Sequence, residues 1–118
     1  MAGEHTSGDE GVTVIGTVDG GVARIEVVGE LDLAATSHWH AVVEPLLETS
    51  PTQIDVDFSR ATFMDSSGLG LLITLGAWAG AHESRLRLSN VSHNVVRVLE
   101  FSGVTSLFEL STPQLEPD

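Results

Sequence analysis

The stretch Phe63-Met64-Asp65-Ser66-Ser67-Gly68-Leu69-Gly70 joins two incompatible periodicities, and it constrains the fold more than any other part of the chain. Before it, Ile54-Asp55-Val56-Asp57-Phe58 places an apolar residue at every second position with acids between, the period of a half-buried strand. After it, Leu69, Leu71, Leu72, Ile73, Leu75, Ala77 and Trp78 come too densely for a strand and fit a helix over 67–82, buried on much of its circumference. Asp65 or Ser66 is a natural N-cap there, its side-chain oxygen accepting a backbone N–H that the first turn leaves unpaired. One cap needs one oxygen. Asp65, Ser66 and Ser67 all carry one, and the Gly68-Leu69-Gly70 step keeps the helix start sterically open, so the corner is a candidate for chemistry as well as for capping.

Elsewhere the pattern alternates in the same way. Two strand-like runs, 12–18 and 22–28, flank Asp19-Gly20-Gly21 and predict a hairpin, with Ala23, Ile25 and Val27 on one core face. After Asp32, the spacing of Trp39, Val42, Val43, Leu46 and Leu47 predicts an amphipathic helix, which Pro45 should kink or distort near 41–45. A strand at 53–58, the 67–82 helix, a short strand at 85–88 and a helix capped by Ser92 with Val95, Val96 and Leu99 on one face follow; 104–110 supplies a last short strand or helix. The order β-β-α-β-α-β-α with a terminal element predicts a single α/β domain over 12–111, between flexible tails at 1–11 and 112–118.

A chain of 118 residues has room for one core. Its formal charge of −12, from 17 acids against 5 arginines and no lysine, excludes nucleic acid as a direct ligand, because phosphate backbones are bound mainly through clustered cations. A basic protein partner would be drawn in faster by the same field. Absence of cysteine excludes disulfides, a thiol nucleophile and thiolate metal sites. The first eleven residues lack the features of a secretory signal, and the longest apolar stretch, Leu69 to Ala81, is too short for a membrane span, so a soluble cytoplasmic protein is expected.

Several chemistries fail for want of a residue. A P-loop needs a lysine at the phosphates and receiver-type phosphoaspartate domains use one too, so Asp55 and Asp57 read as the solvent-side positions of their strand. Ser66 lacks the Gly-x-Ser-x-Gly elbow of a hydrolase. His38 and His40 are two apart and face different directions, and neither His82 nor His93 has a partner at metal-ligand spacing. No catalytic residue, metal site or cofactor is assigned.

The Phe63–Gly70 segment resembles the phosphoswitch of the STAS-domain anti-sigma factor antagonists. Gly29-Glu30-Leu31-Asp32 resembles that family's turn between second strand and first helix, and Phe101-Ser102-Gly103-Val104 with Leu107-Phe108 resembles its closing segment. The three matches keep the family's order over roughly 12–110. The resemblance implies a STAS-like domain, a mixed sheet with helices mainly on one face, and a binding protein rather than an enzyme. It implies further that an anti-sigma factor with serine-kinase activity phosphorylates Ser66, with Ser67 as fallback acceptor. The unphosphorylated form would bind that partner and free a sigma factor, and a phosphatase would reset the switch. Asp32 and Asp65 match positions flanking the acceptor, Gly68 and Gly70 match the tight approach of the partner, and Ser67, Leu69 and Leu71 complete the expected contact surface. A monomer or weak dimer is expected. Two other readings stay open: a STAS scaffold or accessory subunit of a signalling or transport complex, and a nucleotide-binding module using the Asp65–Gly70 helix start as phosphate cradle, which the acidic surroundings and the missing lysine disfavour.

Physical terms bear on the switch. A phosphate at a helix N-terminus gains about 0.3–1 kcal/mol from the dipole and open N–H groups. A neighbouring carboxylate costs on the order of 1–3 kcal/mol per unit charge, and phosphoserine carries about two charges. These terms roughly offset, which predicts little refolding of the isolated domain. An interface would instead have to desolvate a dianion beside Asp32 and Asp65, and a loss of about 3 kcal/mol weakens binding a hundredfold. Trp78 and Leu71 are read as core; either one left exposed beside Ser66 would be a candidate anchor.

Overall fold

The computed structural model describes residues 3–101 and 109–111. Six strands form one sheet in the order β1-β2-β3-β4-β5-β6, so that every strand lies beside its neighbour in sequence. They are β1 (Gly3–Gly8), β2 (Val12–Asp19), β3 (Val22–Leu31), β4 (Gln53–Met64), β5 (Arg85–Ser89) and β6 (Glu109–Ser111). The first two pairings are antiparallel and the last three parallel. A 3-10 turn (Leu33–Ala35) leads into α1 (Thr36–Leu47), and α2 (Ser66–Ala81) and α3 (His93–Phe101) make the other two crossovers.

Alternation decides which side is core. Val12, Val14 and Val18 of β2, Ala23, Ile25 and Val27 of β3, and Ile54, Val56 and Phe58 of β4 point into one buried cluster with Trp39, Val42 and Leu46 of α1 and Leu72, Leu75 and Ala79 of α2. Complete burial of one such aliphatic side chain stabilises by about 1.5–3 kcal/mol. The opposite face carries Thr17, Arg24, Glu26, Asp55 and Asp57, and Arg60 reaches Glu26 at 3.4 Å. Asp55 and Asp57 therefore stand where period-two reading puts them, on the helix-free side. Desolvation works to raise the Asp57 carboxyl, but the hydrogen bonds it accepts from Asn90 and Ser59 outweigh that and hold it below its ordinary value.

Two expectations change. Residues 3–8 of the expected N-terminal tail form the edge strand β1, paired with Val18 through Thr13. A side-chain clasp adds to this pairing at the strand's end: His38 of α1 takes the Ser7 hydroxyl on Nδ1 at 2.7 Å and the Asp9 carboxylate on Nε2 at 3.1 Å. β4 runs to Met64 instead of ending at Phe58, because two register shifts in its pairing with β3 carry the ladder past Ser59-Arg60-Ala61-Thr62, where alternation is lost. α1 spans Thr36–Leu47 with Pro45 inside it, in the last turn. Ser92 caps α3 as expected, its hydroxyl accepting from the Val95 N–H at 3.2 Å. The closing segment at 102–108 and the C-terminal tail at 112–118 lie outside the described residues.

Candidate functional site

The site is built by the parallel pairing of β3 and β4. Their register brings Leu31 opposite Met64, so the next residues, Asp32 and Asp65, emerge side by side at the same edge of the sheet although 33 positions separate them in the chain. Both are caps. Asp32 Oδ1 accepts from the Ala35 N–H at 3.2 Å, and Asp65 Oδ1 accepts from Ser67 N–H at 2.8 Å and Gly68 N–H at 3.2 Å. Each is half-buried. Of the two candidates for the α2 cap, Asp65 fills the position and Ser66 becomes the first helical residue, one position before the expected start.

This resolves the surplus of oxygens at the corner. Asp65 engages two of the N–H groups that the first turn would otherwise leave open, and the Leu69 N–H bonds the Asp65 carbonyl at 3.0 Å. Ser66 is exposed and takes no part in the cap, whereas Ser67 is half-buried. A phosphate on Ser66 would meet a helix start already held by a carboxylate, so the dipole gain that was set against acidic repulsion is much reduced.

The two glycines separate in role. Gly68 is buried, and a Cβ there would come within 2.3 Å of the Leu31 carbonyl oxygen and 2.6 Å of Met64 Cγ, so its bareness serves the close approach of α2 to β3. Gly70 is exposed with nothing within 4 Å of the position. Leu71 is core at 8 % exposure, and Leu69 is half-buried against the core. Trp78 is half-buried, neither fully core nor free, and its ring stacks on His82 with centroids 4.1 Å apart. Gly29 of the upstream motif has φ +100, a conformation side chains resist, and the adjacent Glu30 N–H bonds the Gly11 carbonyl at 2.8 Å.

Two residues at this corner escaped sequence reading. Leu33 is 74 % exposed and Phe63 is 55 % exposed, the only large apolar side chains so open among the described residues. They stand beside the capping acids, Leu33 next after Asp32 and Phe63 two before Asp65, on opposite flanks of the corner. Leu33 falls outside the helical spacing of α1, which was the available signal.

A family profile described as "Mlab, STAS domain" matches residues 17–110, most of the chain. This protein belongs to the STAS domain family. Among relatives, a STAS-domain containing protein of Pseudomonas aeruginosa is 32% identical over 100 residues, covering 85% of this chain and 98% of that protein. The anti-sigma-B factor antagonist of Staphylococcus aureus is 26% identical over 88 residues, covering 75% of this chain and 82% of its own. The Bacillus cell fate determinant SpoIIAA, solved in its phosphorylated form, superposes with a TM-score of 0.65 at 27% identity, covering 93% of this chain and 92% of that one. The STAS domain described here thus has the fold of anti-sigma factor antagonists, with Asp32, Asp65 and Ser66 gathered at one sheet edge.

Proposed function

We propose that this STAS domain is an anti-sigma factor antagonist whose binding is switched off by phosphorylation of Ser66. The observation that carries the reading is the division of labour at the corner: Asp65 performs the capping, which leaves the Ser66 hydroxyl exposed and uncommitted at the first residue of α2. Ser67 is half-buried, so its hydroxyl is less accessible and it is the poorer acceptor. The likeness to the staphylococcal antagonist and to a STAS protein solved in a phosphorylated form supports the same reading.

In this reading Leu33 and Phe63 are the apolar anchors of the partner interface, and the capping acids set its charge. Large exposed apolar side chains are candidate anchors for a protein interface, whose buried core is apolar and whose rim is polar. Phosphorylation adds about two negative charges where Asp65 already occupies the amide groups, and docking would bury that dianion beside two carboxylates. The test is incubation with the cognate anti-sigma kinase and ATP, followed by a pull-down. One phosphate on Ser66, lost in Ser66→Ala, and at least a hundredfold weaker capture of Ser66→Glu are expected. Phosphate mapped to Thr36, Thr62 or Ser92 would overturn the assignment.

A further inference from the structure

The clasp at the end of β1 joins a hydroxyl, an imidazole and a carboxylate in series. Ser7 Oγ lies 2.7 Å from His38 Nδ1, and His38 Nε2 lies 3.1 Å from Asp9 Oδ2. The carboxylate is itself held, because Asp9 Oδ1 accepts from the Gly11 N–H at 2.9 Å and the Val12 N–H at 3.2 Å. A serine within hydrogen-bond reach of a base that a third group orients has the arrangement of an activated nucleophile.

Charge decides the tautomer. A carboxylate can only accept, so a neutral His38 ring carries its proton on Nε2 and donates it to Asp9. Nδ1 then keeps its lone pair, and the Ser7 hydroxyl is the donor in the 2.7 Å bond. We infer that Ser7 is a base-activated nucleophile that accepts an acyl group from an activated, uncharged ester. His38 is its base, and Asp9 is the positioning residue that sets the ring's proton on the far nitrogen.

The step balances within these groups. Ser7 Oγ attacks the acyl carbon as its proton passes to His38 Nδ1. The tetrahedral adduct then breaks its bond to the leaving oxygen, which takes the proton back from Nδ1. The products are O-acyl Ser7, a free phenol or alcohol and a neutral His38, with nothing oxidised or reduced. Proton transfer to a positioned base is worth about 10²–10⁴-fold in rate.

Place in the fold sets the donor. β1 has a neighbouring strand on one side only, and Ser7 is half-buried, so an ester can approach across the open edge of the sheet. An open site gives a poor leaving group little help, which restricts the donor to esters whose leaving oxygen departs readily, such as a nitrophenolate. The formal charge of −12 repels anionic acyl donors and leaves uncharged ones unhindered. None of Asp32, Asp65 and Ser66 takes part, so this site stands apart from the Ser66 switch.

The full chain is incubated with p-nitrophenyl acetate at neutral pH, quenched with acid, and its acetyl groups are mapped by mass spectrometry. The chain has no lysine and no cysteine, which removes the commonest competing acceptors. Acetyl should appear on Ser7 at least tenfold faster than on the exposed Ser66, and Ser7→Ala should remove it. Asp9→Asn separates chemistry from clasping. Its Oδ1 must still accept from Gly11 and Val12, so its amide NH₂ faces His38 Nε2, the ring proton moves to Nδ1, and each bond of the clasp survives with its direction reversed. Amides of β1 should keep their exchange protection in this variant while Ser7 acetylation falls at least tenfold; a purely structural clasp would leave the rate unchanged. Ser7 no faster than Ser66, or undiminished acetylation in Asp9→Asn with β1 protected, would overturn the inference. If Asp9→Asn loses that protection, His38→Gln decides: a tenfold fall at Ser7 with Ser66 unaffected supports the nucleophile, and an unchanged rate overturns it.

Discussion

Asp32 and Asp65 occupy matching places on neighbouring strands: each follows one member of the Leu31–Met64 pair, and each gives its carboxylate to the N–H groups of the turn it opens. The pairing of β3 with β4 therefore does two things at once. It starts both helices from one edge, and it concentrates negative charge there without any buried unpaired acid.

The two caps should differ in weight. Asp65 makes two bonds into a helix of 16 residues, while Asp32 makes one into a three-residue turn. Asp65→Ala should cost about 1 kcal/mol, within the 0.5–2 range of lost N-caps, and Asp32→Ala less. Urea midpoints at constant m-value measure both. Asp32→Asn should change partner affinity or phosphorylation rate more than it changes stability.

The glycines give a sharper contrast. Gly68→Ala pushes a methyl against the Leu31 carbonyl and should destabilise by about 1–3 kcal/mol, the cost of an overpacked contact. Gly70→Ala, with open space around it, should stabilise by about 0.5–1 kcal/mol through helix propensity. Equal midpoints for the two variants would contradict the close packing of α2 on β3.

The His38 clasp predicts an acid-sensitive edge. Asp9 is held below its ordinary value of 3.8, first by the Gly11 N–H, then by the His38 ring and the Val12 N–H. A depressed carboxylate contributes stability that is present above its ordinary value and lost as pH falls through the folded value. Amides of β1 should therefore lose exchange protection below pH 3.8, before those of β4. At neutral pH, His38→Ala should selectively expose the same amides.

Leu33→Ala and Phe63→Ala should leave the unfolding midpoint within about 0.5 kcal/mol of wild type, as exposed positions do. Binding to the cognate anti-sigma factor should fall at least fivefold for each. Loss of stability with retained binding would assign them to the fold instead.

Phosphorylated and unphosphorylated proteins should share one backbone beyond the corner. Because Asp65 must hold Ser67 and Gly68 beside a new dianion, amide shifts should concentrate at Asp32 and at Asp65–Leu72. Shifts running through α3 would show a conformational mechanism.

Local periodicity made much of this legible. Alternation in Ile54–Phe58, the Gly20-Gly21 turn and the dense run after Leu69 each specify an element through residues close in sequence. What escaped depends on distance along the chain. No local pattern marks Ser7 as a strand residue, since its partner His38 is 31 positions away, and alternation is lost over Ser59–Thr62 while β3 still pairs with Arg60 and Ala61. At the corner, residue types disclosed that a cap existed but not which oxygen filled it. The role of Gly68 appeared only once Leu31, from another strand, was seen against it.

The sheet order β1-β2-β3-β4-β5-β6 repeats the order in which a ribosome would make the strands. Each new strand finds its hydrogen-bonding neighbour already synthesised, and no earlier pair must part to admit a later one. Assembly can therefore proceed vectorially, with β3 waiting as a template edge while α1 forms and β4 is still to come. During that interval the strand end bearing Asp32 lacks its partner, so the charged edge that defines this protein is completed only when residue 65 has emerged and β4 has docked.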